Sequence, residues 1–191
     1  MQVKTVLATS ALALSFAAAA PAGQVTRYLV EQDQVMVTYQ ASLGPKQLSG
    51  VSRTLVGTVE EGTGGALHIS ARVPVASFES GSAGVDALFV RALEGDRFPD
   101  VSFEGEAVAP RKSGPFSVNA IGTLSVHGVS QRVAVPIKGL RDGKTLFVKA
   151  AFPIDFAAYG LAAPSIAGRS ISPRTQIELH ALLRPAAPPE G

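Results

Sequence analysis

The sequence predicts an all-β protein: an antiparallel barrel of eight strands with one short helix, behind a cleaved signal peptide. Three observations carry that expectation. Apolar and polar residues alternate with a period of two over most of the chain after residue 23, the mark of strands buried on one face. One segment only, near residues 83–94, repeats its apolar residues at helical spacing. The start, "MQVKTVLATSALALSFAAAAPAG", has Lys4, an unbroken run of apolar and small residues from Val6 to Ala20, and small residues where a signal peptidase reads.

That apolar run is about 15 residues, short against the ~20 needed to span hydrocarbon, so the reading is a removed export signal rather than an anchor. Cleavage fits after Ala20 or after Ala22. Residues 1–22 are therefore read as signal peptide, 23–184 as one β-barrel domain, and 185–191 as a disordered Pro-rich tail from "RPAAPPEG". The expected location is the periplasm or the exterior. No later segment is apolar enough for a transmembrane span. A mature chain of about 170 residues buries roughly two-thirds of its unfolded surface and needs no covalent staple, in keeping with the absence of cysteine. The formal charge is +2, and loss of Lys4 with the signal leaves +1, so nothing electrostatic favours nucleic acid or an anionic membrane as partner.

The strands follow in order. "QVMVTYQA" and "LSGVSRTLVGTVEE" read as two strands with weaker patterning. In "GALHISARVPV", Leu67, Ile69, Ala71, Val73 and Val75 share a face against His68, Ser70 and Arg72. Val101, Phe103, Gly105, Ala107 and Ala109 oppose Ser102, Glu104 and Glu106, with Val108 breaking the polar set. "PFSVNAIGTLSV" turns Phe116, Val118, Ala120, Gly122, Leu124 and Val126 inward. After a bend at His127-Gly128 come Val133, Val135 and Ile137, against Arg132 and Lys138. "KTLFVKAAFPI" adds Leu146, Val148, Ala150, Phe152 and Ile154, with Lys149 and an exceptional Phe147 on the other face. The last strand sets Ile177, Leu179, Ala181 and Leu183 against Glu178, His180 and Arg184. A sheet with one dry face must stack on a second sheet or close on itself. Closure also removes the edges that invite aggregation.

The exception is "SGSAGVDALFVRALEGDRFP", where Val85, Leu88, Phe89 and Leu93 recur at helical spacing. The expected helix spans 83–94, with Ser82 as N-cap, Asp86 in its first turns and Gly95 ending it in a left-handed conformation. It lies across one mouth or side of the sheet, and Pro99 opens the next strand.

Two readings of the interior stand side by side. Strand centres carry Gly105, Ala107, Ala120, Gly122 and Ala150, with Phe103, Phe116, Leu124 and Phe152 nearer the ends. Small residues at the waist of an eight-stranded barrel leave room for one small ligand, unless the helix or neighbouring large side chains fill it. Catalytic machinery is not legible. His68, His127 and His180 fall on separate strands or a turn, with no shared metal centre. There is no G-x-S-x-G elbow and no P-loop lysine beside "EEGTGG" or "ESGSAG". Glu104 and Glu106 lie on a solvated face. No catalytic residue, metal or cofactor is predicted.

The stretches "VPVASFESG", "RFPDVSFEGEAV", "GTLSVHGVSQRVAVPIKG", "FPIDFAAYGL" and a strand ending "IELHALL", in that order, resemble the YceI-like family of exported, lipocalin-like barrels that bind polyisoprenoid or other long-chain lipids. The resemblance covers most of the mature chain. The His-Ser pair and further His common in the family's first strands are missing from "EQDQVMVTYQASL", and Phe156 follows Asp155 where a basic residue is common. The resemblance implies an elongated apolar pocket that binds a lipid or isoprenoid chain without transforming it, with homodimer formation left open. The pocket-lining set expected is Leu67, Ile69, Phe103, Ala107 and Val118, with Ala120, Val135, Val148, Ala150 and Phe152. The alternatives are a filled barrel acting through its surface on an envelope partner, and an enzyme acting on a lipid or quinone-like ligand.

Overall fold

The computed structural model describes residues 25–162, 165–166 and 168–187. The expected signal peptide and residues 188–191 of the expected tail lie outside them. The strands are β1 (Thr26–Leu43), β2 (Lys46–Ser52), β3 (Val56–Glu61), β4 (Ala66–Pro74), β5 (Asp100–Val108), β6 (Gly114–Val126), β7 (Val129–Asp142), β8 (Thr145–Asp155), β9 (Ser165–Ile166), β10 (Arg169–Ser170) and β11 (Arg174–Pro185). A helix, α1 (Ala83–Ala92), stands between β4 and β5.

Antiparallel pairing runs β1-β3-β4-β5-β6-β7-β8-β11, and β11 pairs back to β1, which closes an eight-membered barrel. The ring is the expected one, built from period-two segments that each bury one face. β2 is a ninth strand outside the ring, paired with the second half of β1, from Val37↔Ser52 to Leu43↔Lys46, and bridged at Val51 to Glu79. β9 and β10 form a separate two-stranded ladder that the sequence pattern does not announce.

The segment "LSGVSRTLVGTVEE", expected as one strand, is two. The Ser52 hydroxyl accepts a hydrogen bond from Thr54 N–H at 3.0 Å and lies 2.7 Å from the Ser77 hydroxyl. This local bond bends the chain out of the ladder before β3 begins, the competition with strand pairing that serine is suited to. Leu55, in the break, turns into the core. Opposite it β1 bulges: Glu31, Gln32, Asp33 and Gln34 face Leu182 alone. The Gln32 side-chain amide spans the gap to the Leu55 carbonyl at 2.9 Å. At the other terminus β11 reaches Pro185, one residue into the expected tail, and Ala186 N–H donates to Arg27 O at 2.7 Å.

The helix is close to expectation but ends differently. Ser82 has extended N-cap dihedrals yet its side chain makes no capping bond. Asp86 instead accepts from Ser80 N–H at 2.8 Å. Gly95 is not the left-handed residue. Glu94 is, with φ 47, and Gly95 N–H reaches back to Val90 O (2.8 Å) while Glu94 N–H reaches Arg91 O (3.1 Å). That is a Schellman closure with a non-glycine at its strained position. From there Glu94 Oε1 lies 3.0 Å from His127 Nε2 in the β6–β7 turn. His127 and Gly128 both have positive φ, 53 and 73, as a two-residue hairpin turn of type I′ requires. The His127 ring packs edge-on against Phe98, centroids 4.8 Å apart. The bend in "VHGV" is thus docked onto the end of α1.

Candidate functional site

An apolar cavity of about 200 Å³ runs inside the barrel, and all eight ring strands, α1 and Leu55 contribute to its lining. It extends from Leu146 and Leu183 at one end to Leu93, Val126 and Ile154 at the other. Water gains almost nothing in such a space, because a buried water needs polar partners and the wall offers carbon. An apolar chain gives up no hydrogen bonds by entering.

Of the expected lining residues, Leu67, Ile69, Phe103, Val118, Val135, Val148, Ala150 and Phe152 border this cavity. Ala107 and Ala120 do not. Ala120 has no solvent exposure and packs with Ala107, Leu67, Ala109 and Val135. The ring of Phe103 packs against this cluster. A methyl carbon placed on Gly105 or Gly122 would lie 2.5 or 2.8 Å from Phe103 Cζ, so the ring covers both glycines. Likewise the Phe116 ring lies on Gly139, its cross-strand partner. Small residues at the waist are therefore partly seats for neighbouring aromatics. The cavity passes beside them.

Other lining residues were not singled out from sequence. Tyr39 comes from the weakly patterned first strand, Leu55 from the break, Phe78 from the link before α1, Phe89 from the helix and Leu93 from its C-cap. The helical spacing of Phe89 and Leu93 already marks an inward face. Leu55 and Phe78 carry no periodic signal because they lie outside regular structure.

The end of the barrel at Tyr28 is sealed by charge. Glu61 and Arg141 are 3% and 4% exposed and form a bidentate pair, with Arg141 Nη2 to Glu61 Oε1 at 3.0 Å and Nη1 to Oε2 at 3.1 Å. Tyr28 donates its hydroxyl proton to Glu61 Oε2 (2.9 Å) and accepts from Arg141 Nη1 (3.1 Å), while Arg141 Nε donates to Pro110 O (3.0 Å). Burial pushes the Tyr28 phenol above its usual pKa; the Glu61 hydrogen bond adds to this and Arg141 opposes it. Tyr28, Leu146 and Leu183 pack together under the cavity floor. Buried charges so completely paired hold a geometry rather than await a ligand.

The end at α1 is sealed by rings. Tyr39 and Phe89 stack with centroids 4.6 Å apart and planes 7° from parallel, and Phe78 packs edge-on to Phe89 at 5.4 Å. The Tyr39 ring rests on Gly50, its partner in β2. Burial raises the Tyr39 pKa, with the charge of Asp86 adding to it, and burial alone raises that of Tyr159. Both phenols are neutral hydroxyls at ordinary pH. Behind the Tyr39–Phe89 stack lies a second space of about 30 Å³, which shares Tyr39, Phe89 and Phe156 with the main cavity and is also bordered by Thr175.

The surface histidine His68 sits 3.7 Å from Glu106, with both side chains exposed. Among the described residues, no group of three or more His, Asp or Glu side chains is placed to hold a metal, and no helix is long and apolar enough to cross a membrane.

The architecture is shared with solved structures. BcnA of Burkholderia cenocepacia superposes with a TM-score of 0.69 at 19% identity, covering 80% of this chain and 98% of that one. A polyisoprenoid binding domain from Saccharophagus degradans, implicated in plant cell wall breakdown, gives 0.70 at 14% identity, with 83% and 98% covered. A YceI protein of Campylobacter jejuni gives 0.56 at 14%, with 77% and 90% covered. No curated protein matches the sequence. These identities speak for the fold; a family model, the YceI-like domain, matches residues 28–183, and the chain belongs to the YceI-like family.

Proposed function

We propose that the protein binds and carries a long-chain lipid, a polyisoprenoid or similar amphiphile, with its apolar chain inside the barrel and without chemical change to it. The single observation that carries this reading is a cavity lined almost wholly by carbon along the barrel axis. Each methylene buried there contributes roughly 0.8 kcal/mol, so a chain gains affinity by length with little polar recognition. The Saccharophagus neighbour, described as polyisoprenoid binding, lends support by likeness of fold. Among the described residues the buried charged groups, Glu61 and Arg141, are paired with one another, which favours carriage over catalysis. The apolar N-terminal run up to Ala20 supports a periplasmic or secreted setting, where an insoluble lipid needs a carrier.

The test is native mass spectrometry of gently purified protein, with isoprenoid and fatty-acyl probe binding. The expected outcome is co-purified chain lipid, and loss of probe binding in Val148→Phe, which narrows the cavity from the β8 wall. A folded wild type that yields no lipid and binds neither probe would sink the reading and favour action through the outer surface.

A further inference from the structure

The two ends of the cavity offer a ligand different polar chemistry, and only one has a polar group to spare. Thr175, on the inner face of β11, is 1% exposed, and its hydroxyl has no hydrogen-bond partner among the described residues. It borders the small space behind the Tyr39–Phe89 stack, and that space shares three aromatic side chains with the main cavity. A threonine hydroxyl donates one hydrogen bond and accepts others, so leaving it buried and unpaired is costly. Among the described residues, neither space is lined by a Lys, Arg, His, Asp or Glu side chain.

Building on the carriage reading above, we propose that the ligand lies with its head toward α1, where the Thr175 hydroxyl hydrogen-bonds a neutral oxygen, an alcohol or a carbonyl, on the head group. The opposite orientation would place the head against Tyr28, Glu61 and Arg141, whose polar atoms already satisfy one another. A charged head such as a phosphate would meet no cation in the space beside Thr175 and would lose its hydration without compensation. A neutral oxygen needs only one partner. To reach it, the head passes the Tyr39–Phe89 stack and Phe156, the side chains common to both spaces.

The experiment measures affinity for three probes with one carbon skeleton: a long-chain prenol, the corresponding hydrocarbon and the prenyl phosphate. Wild type is expected to prefer the prenol over the hydrocarbon by roughly three- to tenfold, the scale of one net hydrogen bond. Thr175→Val should erase that preference while leaving hydrocarbon affinity unchanged, and Thr175→Ser should restore it. The Val variant, which replaces an unpaired hydroxyl with a methyl of the same shape, should also melt no lower than wild type without ligand. Equal binding of prenol and hydrocarbon, a preference that survives in Thr175→Val, or tightest binding of the phosphate would overturn the head-group assignment alone. Failure of all three probes to bind the folded wild type would overturn it together with carriage.

Discussion

At its Tyr28 end the barrel is closed by a bidentate ion pair and a phenol, whereas at its α1 end it is closed by stacked rings, a short helix and a docked hairpin turn. The first closure is directional. Moving Arg141 away from Glu61 leaves a carboxylate buried without its partner, so the arrangement is all or nothing. The second closure rests on aromatic contacts, individually small and indifferent to modest changes of angle. Rings can rotate and still pack; an ion pair in the core has one good geometry. The same barrel thus has one end held by a directional pair and one held by contacts that tolerate rearrangement, and the carriage proposed above expects a chain to pass at the helix end.

The sharpest way to break this contrast is Arg141→Met, which removes one partner of the buried pair. It should destabilise the protein by about 3–5 kcal/mol in urea unfolding, and Glu61→Leu added to it should recover a large part of the loss. A cost below about 1 kcal/mol would mean that the floor is no more rigid than the lid. At the other end, Phe89→Ala removes one ring of the stack and joins the main cavity to the small space behind it. Full burial of a phenylalanine is worth about 3–5 kcal/mol on truncation, and Phe89 is only half-buried, so about 2 kcal/mol is expected. Probe association should speed up at the same time; unchanged association kinetics would place the route elsewhere. The smallest effect concerns the joint between α1 and the β6–β7 turn. Glu94→Gly relieves a left-handed conformation worth about 1 kcal/mol but gives up the contact with His127, so stability should rise by less than about 1 kcal/mol in thermal melts. A clear loss would show that the Glu94–His127 contact outweighs the backbone strain.

Much of this molecule is legible in its residues. The alternation in "GALHISARVPV" and in "PFSVNAIGTLSV" marks the inward faces that line the barrel, because a strand's side chains must alternate wherever it goes. The spacing of Val85, Leu88, Phe89 and Leu93 marks the helix for the same local reason. Ala107 and Ala120 show where such reasoning stops. They face inward as the pattern says, yet Phe103 covers the glycines beside them and leaves them in packed core. Nor does the pattern of apolar residues reveal that Ser52, bonded locally to Thr54 and held by distant Ser77, breaks a strand, or that Glu94 rather than Gly95 takes the left-handed turn beside His127.

By itself, then, the sequence determined which side chains face inward and that the interior is dry, for periodicity is a property of each strand alone. Tertiary structure decided how that interior is shared out. Strand pairing puts Gly122 opposite Gly105 and Gly139 opposite Phe116 so that a ring can lie on each, and closure of the barrel brings Glu61 to Arg141 across 80 positions. Whether a small inward residue opens space or seats a ring, and whether a polar one finds a partner, depends on neighbours that ring closure supplies. Thr175, buried with no partner among the described residues, is one polar residue that strand pairing alone does not satisfy.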